Sequence, residues 1–340
     1  MIISLSRKFI KGNEMNKSVE ILKSLIKVKQ IEKNYFISDE DVLYYIGITN
    51  WDKNKIGDEM IKQNKNFGSL GIDLYVFVLF KDKEYLGERT LAAASRFYTD
   101  DDTGQPSMGV LYINREVDYS GQNALRYFES ILLHEFTHIL GFSGKFIQTF
   151  FPQYIFIKDD ENGFSRRFLN STKLIHTAKK YFNCDEIDGI PLEEGGGNGT
   201  ISSHWEEKIF LGELMCGAIY PPEQSFSEFT LSLLEDLGYY KVNYYTGGLM
   251  KYGKNKGCEF LYSKFVNNGK VNPKFKNEFF DNIRNEKYDA GCSSGRESRV
   301  YHYLKSYNNS IPTEYQYFNS SSLGGRELAN YCPVFMDDKD

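Results

Sequence analysis

Apolar positions fall into two periods along the first half of the chain. Asp41–Ile48, Ile72–Phe80, Leu91–Tyr98 and Gly109–Ile113 carry short runs of Val, Ile, Leu and aromatic residues and predict strands, with a helix over Asp52 to Lys65 between the first two. The period then changes. Phe128, Ile131, Leu132, Phe136, Ile139 and Leu140 recur at helical spacing, and a second such pattern, Val19, Ile21, Leu22, Leu25, Ile26 and Val28, predicts an amphipathic helix near 16 to 30. Ser165 to Tyr181 also reads as helical, and Phe226 to Leu237 as a helix ended by Gly238. The last hundred residues hold few strong periodicities. Strands and helices in this mixture predict an α+β fold.

The helix around position 134 is too apolar for a solvated face, yet it carries His134, Glu135 and His138. Polar side chains in such a setting need partners, and a metal ion supplies them. Residues four apart share a helix face, so both imidazoles can reach one ion, and neutral imidazole suits zinc. Glu135, next to the first ligand, can hold a metal-bound water without being a ligand itself. Gly141 follows His138 by three residues and begins the longer metzincin pattern H-E-x-x-H-x-x-G-x-x-H, in which Gly turns the chain sharply towards a third His. The position for that His holds Gly144. A catalytic zinc keeps three protein ligands and an open position, so the third ligand comes from farther along, and His176, His204 and His302 remain. His176 sits among Lys173, Lys179 and Lys180, a solvated basic neighbourhood.

Here a resemblance becomes specific. HEFTHILGFS at 134–143, then a long insertion, then GTISSHWEEKIFLGELM at 199–215, resembles the leishmanolysin family, whose metzincin motif is split before the third His. Cys184-Asp185, Leu192 to Gly196, Thr230 to Tyr240, Gly253 to Cys258 and Tyr331-Cys332-Pro333 extend the similarity over roughly residues 70 to 333. The resemblance implies His134, His138 and His204 as ligands of one zinc ion, Glu135 as catalytic base, and Met215 as the Met-turn residue beneath the metal. It implies a metzincin-like catalytic domain, a twisted mixed sheet backing the zinc helix, with Leu91–Ser95 as the edge that holds substrate. The expected organisation is an N-terminal helical or pro-region remnant over 1–40, a catalytic subdomain over 41–144, an insertion over 145–203, a second catalytic subdomain over 204–240, and a partial C-terminal domain over 241–340. The implied activity is zinc metalloendopeptidase action on protein or peptide substrates. A cell-surface adhesion or binding protein on the same fold is the rival reading, and the intact Glu135 argues against it.

Composition adjusts the picture at its margins. Forty-one per cent hydrophobic residues, with 25 Tyr and 26 Phe, predict well-filled cores, and a net charge of -5 recommends no nucleic-acid partner. The Lys-rich helix near 16 to 30 reads as a packing helix ahead of a membrane-surface one. Charge after a very short apolar run at Met1–Lys8 is not a signal peptide, and no run reaches the roughly 18 apolar residues that span a bilayer. The resemblance nonetheless implies an extracellular, cell-surface or membrane-associated protein. Five Cys, at 184, 216, 258, 292 and 332, are an odd number, so at least one thiol pairs outside the chain or not at all. The chain ends eight residues past Cys332, where the family's C-terminal domain continues, and truncation there is the expectation. No Cys precedes His134, so the pro-region thiolate block of the family's precursors has no counterpart here. Asn-x-Ser/Thr sequons occur at Asn16, Asn170, Asn198, Asn308 and Asn319 and matter on export. The acidic turn Thr99–Pro106 lacks EF-hand spacing and reads as a solvated turn. The glycines of Gly195–Gly199 lack the Lys-Ser/Thr of a phosphate loop and read as a flexible approach to His204.

Overall fold

The computed structural model describes residues 3–5, 13–29, 73–88, 90–100, 102–118, 122–159, 165–197, 199–219, 224–245, 247–281 and 290–336. The predicted strand Asp41–Ile48 and the helix over Asp52 to Lys65 lie outside them. The fold is α+β and divides into two compact units, Met1–Gly141 with Gly238–Asn243, and Phe142–Leu237 with Tyr244–Asp340.

The first unit is built on a mixed sheet. Its strands are β1 (Ile3–Leu5), β3 (Leu74–Lys81), β4 (Ala92–Thr99) and β5 (Pro106–Asn114), in the order β1-β3-β5-β4, with β2 (Ile26–Val28) elsewhere in the unit. The first three run parallel, and β4 runs antiparallel to β5 at the edge among the described residues. β5 is central and buried along almost its whole length, so its apolar residues form a run rather than an alternation. Two long helices, α1 (Asn13–Leu25) and α2 (Gln122–Ile139), and the single turn Lys83–Leu86 are the unit's helices among the described residues. α2 packs on β4 and β5, and α1 packs on α2. Gly109 of β5 permits the close approach of helix and sheet, because a Cβ there would lie 2.5 Å from Cγ2 of Ile139.

The helix expected over 16 to 30 stops at Leu25. Ile26 and Val28 belong to β2, which pairs antiparallel with Tyr240–Val242. β-branched residues lose χ1 freedom in a helix and pack well on a pleat, and here a partner strand satisfies their backbone. The acidic turn is also less solvated than expected. Asp100 is 6% exposed, and its Oδ1 accepts from the backbone N–H and hydroxyl of Thr103 at 2.8 and 2.7 Å. These bonds from Thr103, three residues on, tie the turn together, and Gly104 follows at φ 73°.

The second unit opens with α3 (Gly144–Phe150) and a hairpin of β6 (Ile155–Asp159) with β7 (Ser165–Leu169), which β8 (Ile190–Pro191) extends. The helix expected over Ser165 to Tyr181 therefore begins later, as α4 (Thr172–Phe182). In β7, Arg166 and Phe168 point inward and Ser165 and Arg167 outward, a period of two, and Ser171 then takes the N-cap position of α4. Asn183 ends α4 in the left-handed region at φ 57°. α5 (Glu228–Asp236) is capped by Ser227, whose side chain accepts from the Phe229 N–H, and Gly238 follows it at φ 81°. The core of this unit is aromatic: Phe182, Phe210, Phe229 and Phe260 are fully buried, and Phe265 stacks on Phe279 at 4.3 Å between centroids. A disulfide joins Cys184 to Cys258; Cys216 and Cys332 are buried thiols, and Cys292 is an exposed one.

Candidate metal centre

α2 places His134 and His138 one turn apart, with their Nε2 atoms 3.0 Å from each other and their rings edge to face at 4.7 Å. Two nitrogens at the 2.0–2.1 Å usual for zinc around one tetrahedral ion stand about 3.3 Å apart, so the pair fits a shared metal with little movement. His134 is 5% exposed and His138 half-buried. Phe128, Ile131, Leu132, Phe136, Ile139 and Leu140 are buried around them, which keeps the helix against the sheet and fixes the direction of both imidazoles.

Glu135 is 6% exposed. Burial pushes its carboxyl up to about 8, opposed by a hydrogen bond from the Ala94 backbone on β4. A dication held by the adjacent imidazoles would favour the carboxylate and pull that value back down. The helix ends at once after the second imidazole. The Gly141 N–H donates to the His138 carbonyl at 3.1 Å, and Gly141 itself adopts φ 124°, which side chains with a Cβ rarely adopt. The Tyr240 hydroxyl donates to the Leu140 carbonyl at 2.8 Å and so satisfies one of the last helical acceptors.

In the second unit, His204 is 5% exposed, with Nδ1 2.9 Å from the Thr200 carbonyl. A carbonyl only accepts, so Nδ1 carries the proton and Nε2 the lone pair, the tautomer and orientation of a metal ligand. Three chain segments lie side by side here: Leu192 bridges Trp205, and Trp205 bridges Cys216. Trp205 is fully buried against Phe142 and Phe210, at 4.8 and 5.4 Å between centroids. Met215, also fully buried, follows a turn at Gly212 with φ 86°.

His134, His138 and His204 are a triad that could bind a metal ion. His176 is exposed on α4, and His302 ends the strand Arg299–His302.

Two residues of this region escaped the sequence reading. Glu193 is fully buried; its Oε1 accepts from the N–H groups of Glu194 and Gly195 at 3.0 and 2.7 Å, and its Oε2 from Glu207 at 3.2 Å. Burial first, and the charge of Glu206 second, push its carboxyl up to about 9. Glu213 is fully buried beside Met215, and burial pushes it up to about 7 against hydrogen bonds from Thr230, Met215 and Ser227. Nothing in the local sequence separates these two from Glu194, which lies at the surface margin.

The profile of the leishmanolysin family matches residues 6–340. A leishmanolysin homolog of Crithidia fasciculata is 32% identical over 234 residues, 68% of this chain and 34% of the relative. Leishmanolysin of Leishmania major is 28% identical over 274 residues, 78% of this chain and 42% of that protein. A leishmanolysin-like peptidase of Drosophila melanogaster is 28% identical over 178 residues, 48% of this chain and 26% of the relative. The chain thus spans less than half the length of each of these relatives. With the profile running through both halves of the split histidine motif and on to the end of the chain, this α+β protein belongs to the leishmanolysin family.

Proposed function

We propose that the chain is a zinc-dependent metalloendopeptidase in which His134, His138 and His204 hold one zinc ion and Glu135 is the general base. The observation that carries this reading is the triad of imidazoles with a buried carboxylate one residue from its first member. A purely structural zinc prefers four protein ligands and has no use for that carboxylate.

When bound, zinc supplies a Lewis acid for a peptide carbonyl and lowers the pKa of water. Glu135 takes the proton of the water that attacks the carbonyl carbon and returns it to the nitrogen of the leaving amine. The Ala94 N–H holds the carboxylate in place for both transfers. The same strand, β4, lies at the sheet edge among the described residues, where an extended peptide can pair with it as an added strand. Met215 gives apolar support in the turn beyond His204.

Protein or peptide substrates and an extracellular or cell-surface location belong to the same proposal. The Cys184–Cys258 disulfide favours an oxidising compartment. Among the described residues no helix is long and apolar enough to cross a membrane.

Hydrolysis of a denatured protein substrate, with and without a chelator, tests the reading. Cleavage that stops on chelation and returns with zinc is expected. Cleavage indifferent to the chelator would contradict it.

A further inference from the structure

We propose that Glu213 is a positioning residue for the third imidazole, an inference that rests on the zinc reading above. The carboxylate accepts from four donors. Oε2 takes the backbone N–H of Met215, and Oε1 takes the Ser227 N–H at 3.2 Å, the Ser227 hydroxyl at 2.7 Å and the Thr230 hydroxyl at 2.6 Å. Four donors and no acceptor suit an ionised carboxylate, which only accepts. Peptide hydrolysis as derived above uses neither this charge nor its proton.

Its partners lead to His204. Thr230, whose hydroxyl hydrogen goes to Glu213, accepts from the Trp205 indole N–H at 3.0 Å. Met215, whose N–H goes to Glu213, offers its carbonyl to the Trp205 backbone N–H at 2.9 Å. That N–H belongs to the peptide unit that begins at the His204 carbonyl. The carbonyl of the same unit accepts from the Glu193 N–H at 2.9 Å. The peptide after His204 is therefore held at both ends and at the following side chain, and two of these three ties are set by Glu213. Trp205, Thr230, Glu213 and Met215 are all fully buried, so no water stands ready to replace a lost bond. A ligand must be held within about 0.5 Å of its productive place, and this network does so for His204.

Glu213→Gln is the discriminating change. Its amide oxygen can still serve Ser227 and Thr230, but its NH2 then faces the Met215 N–H, donor against donor. A role confined to stability would lower the melting temperature and leave the metal site alone. Three quantities separate the two roles: the zinc dissociation constant by chelator competition, the visible spectrum of the cobalt(II)-loaded protein, and the melting temperature of the metal-free protein. Phe279→Leu is the control, since it loosens the aromatic core of the same unit and makes none of these hydrogen bonds. Expected are about 10- to 100-fold weaker zinc binding and an altered cobalt spectrum for Glu213→Gln, with Phe279→Leu destabilised but unchanged in both metal readouts. Should Glu213→Gln fail to fold, Thr230→Val, which removes the hydroxyl between Trp205 and Glu213, is expected to weaken zinc in the same direction. Wild-type zinc affinity in Glu213→Gln, or in Thr230→Val if that variant has to stand in, overturns the assignment. So does an equal loss in Phe279→Leu. A wild-type protein that takes up no zinc overturns the metal reading itself, and is recognised by failing before any variant is compared.

Discussion

Replacing Cys184 and Cys258 together by Ala should remove about 4 kcal/mol of stability from the second unit. The two half-cystines are 74 residues apart in sequence, Cys184 just after the end of α4 and Cys258 just before the helix Glu259–Tyr262. In the chain-entropy account, closing a loop of that length removes about 15 cal/mol/K from the unfolded chain, or about 4.5 kcal/mol at 25 °C. Part of the aromatic core, Phe210 and Phe229, lies inside the loop, and Phe182 and Phe260 lie just outside its two ends. The double replacement matters, because a single one adds a fourth free thiol to Cys216, Cys292 and Cys332. Urea unfolding followed by the fluorescence of the buried Trp205, with Trp51 replaced by Phe in every protein compared, reports on this unit. Measurements in chelator keep metal binding from adding its own stabilisation. Wild type should lose the same amount on reduction, and the variant should not respond to reductant. A variant within about 1 kcal/mol of wild type, or a wild type indifferent to reductant, would refute the reasoning.

Glu135→Gln should keep its zinc and lose at least about a hundredfold in peptide hydrolysis, the scale of a lost general base; near-normal turnover would place the base elsewhere. Gly141→Ala should cost about 1–3 kcal/mol in a denaturant titration, because the residue sits at φ 124°. An unchanged midpoint would mean that the turn after α2 tolerates a Cβ. Phe182→Ala should cost about 3–5 kcal/mol, since the ring is fully buried against Phe210, Phe229 and Phe260. A loss under about 1 kcal/mol would show a core that collapses around the gap.

The helix α2, the central strands and α5 were legible because each carries its own period: Ile131 to Leu140 on a helical stripe, and the apolar runs of β3 and β5 as strands. The Cys184–Cys258 pairing was not, since five Cys fix no connectivity and only folding brings α4's end to Cys258. The strand β7 was read as helix because Arg166 and Arg167 continue the basic character of α4, and five residues are too few for a period of two to stand out. β2 was absorbed into α1 for a related reason. Ile26 and Val28 continue the apolar stripe, and only the partner strand Tyr240–Val242, over two hundred residues away, decides their conformation. Glu193 and Glu213 show the limit for the candidate site. A buried carboxylate is recognisable only by the donors gathered around it; some are near neighbours, but Glu207, Ser227 and Thr230 come from 14 to 17 residues away, a separation that carries no local signature.

The measurement that bears most directly on the account is the metal content of purified wild type, His204→Ala and His176→Ala. Elemental analysis should find one zinc per chain in wild type and in His176→Ala, and little or none in His204→Ala, because two imidazoles alone hold zinc loosely. Full zinc occupancy in His204→Ala, or no zinc in wild type, would contradict the three-histidine site.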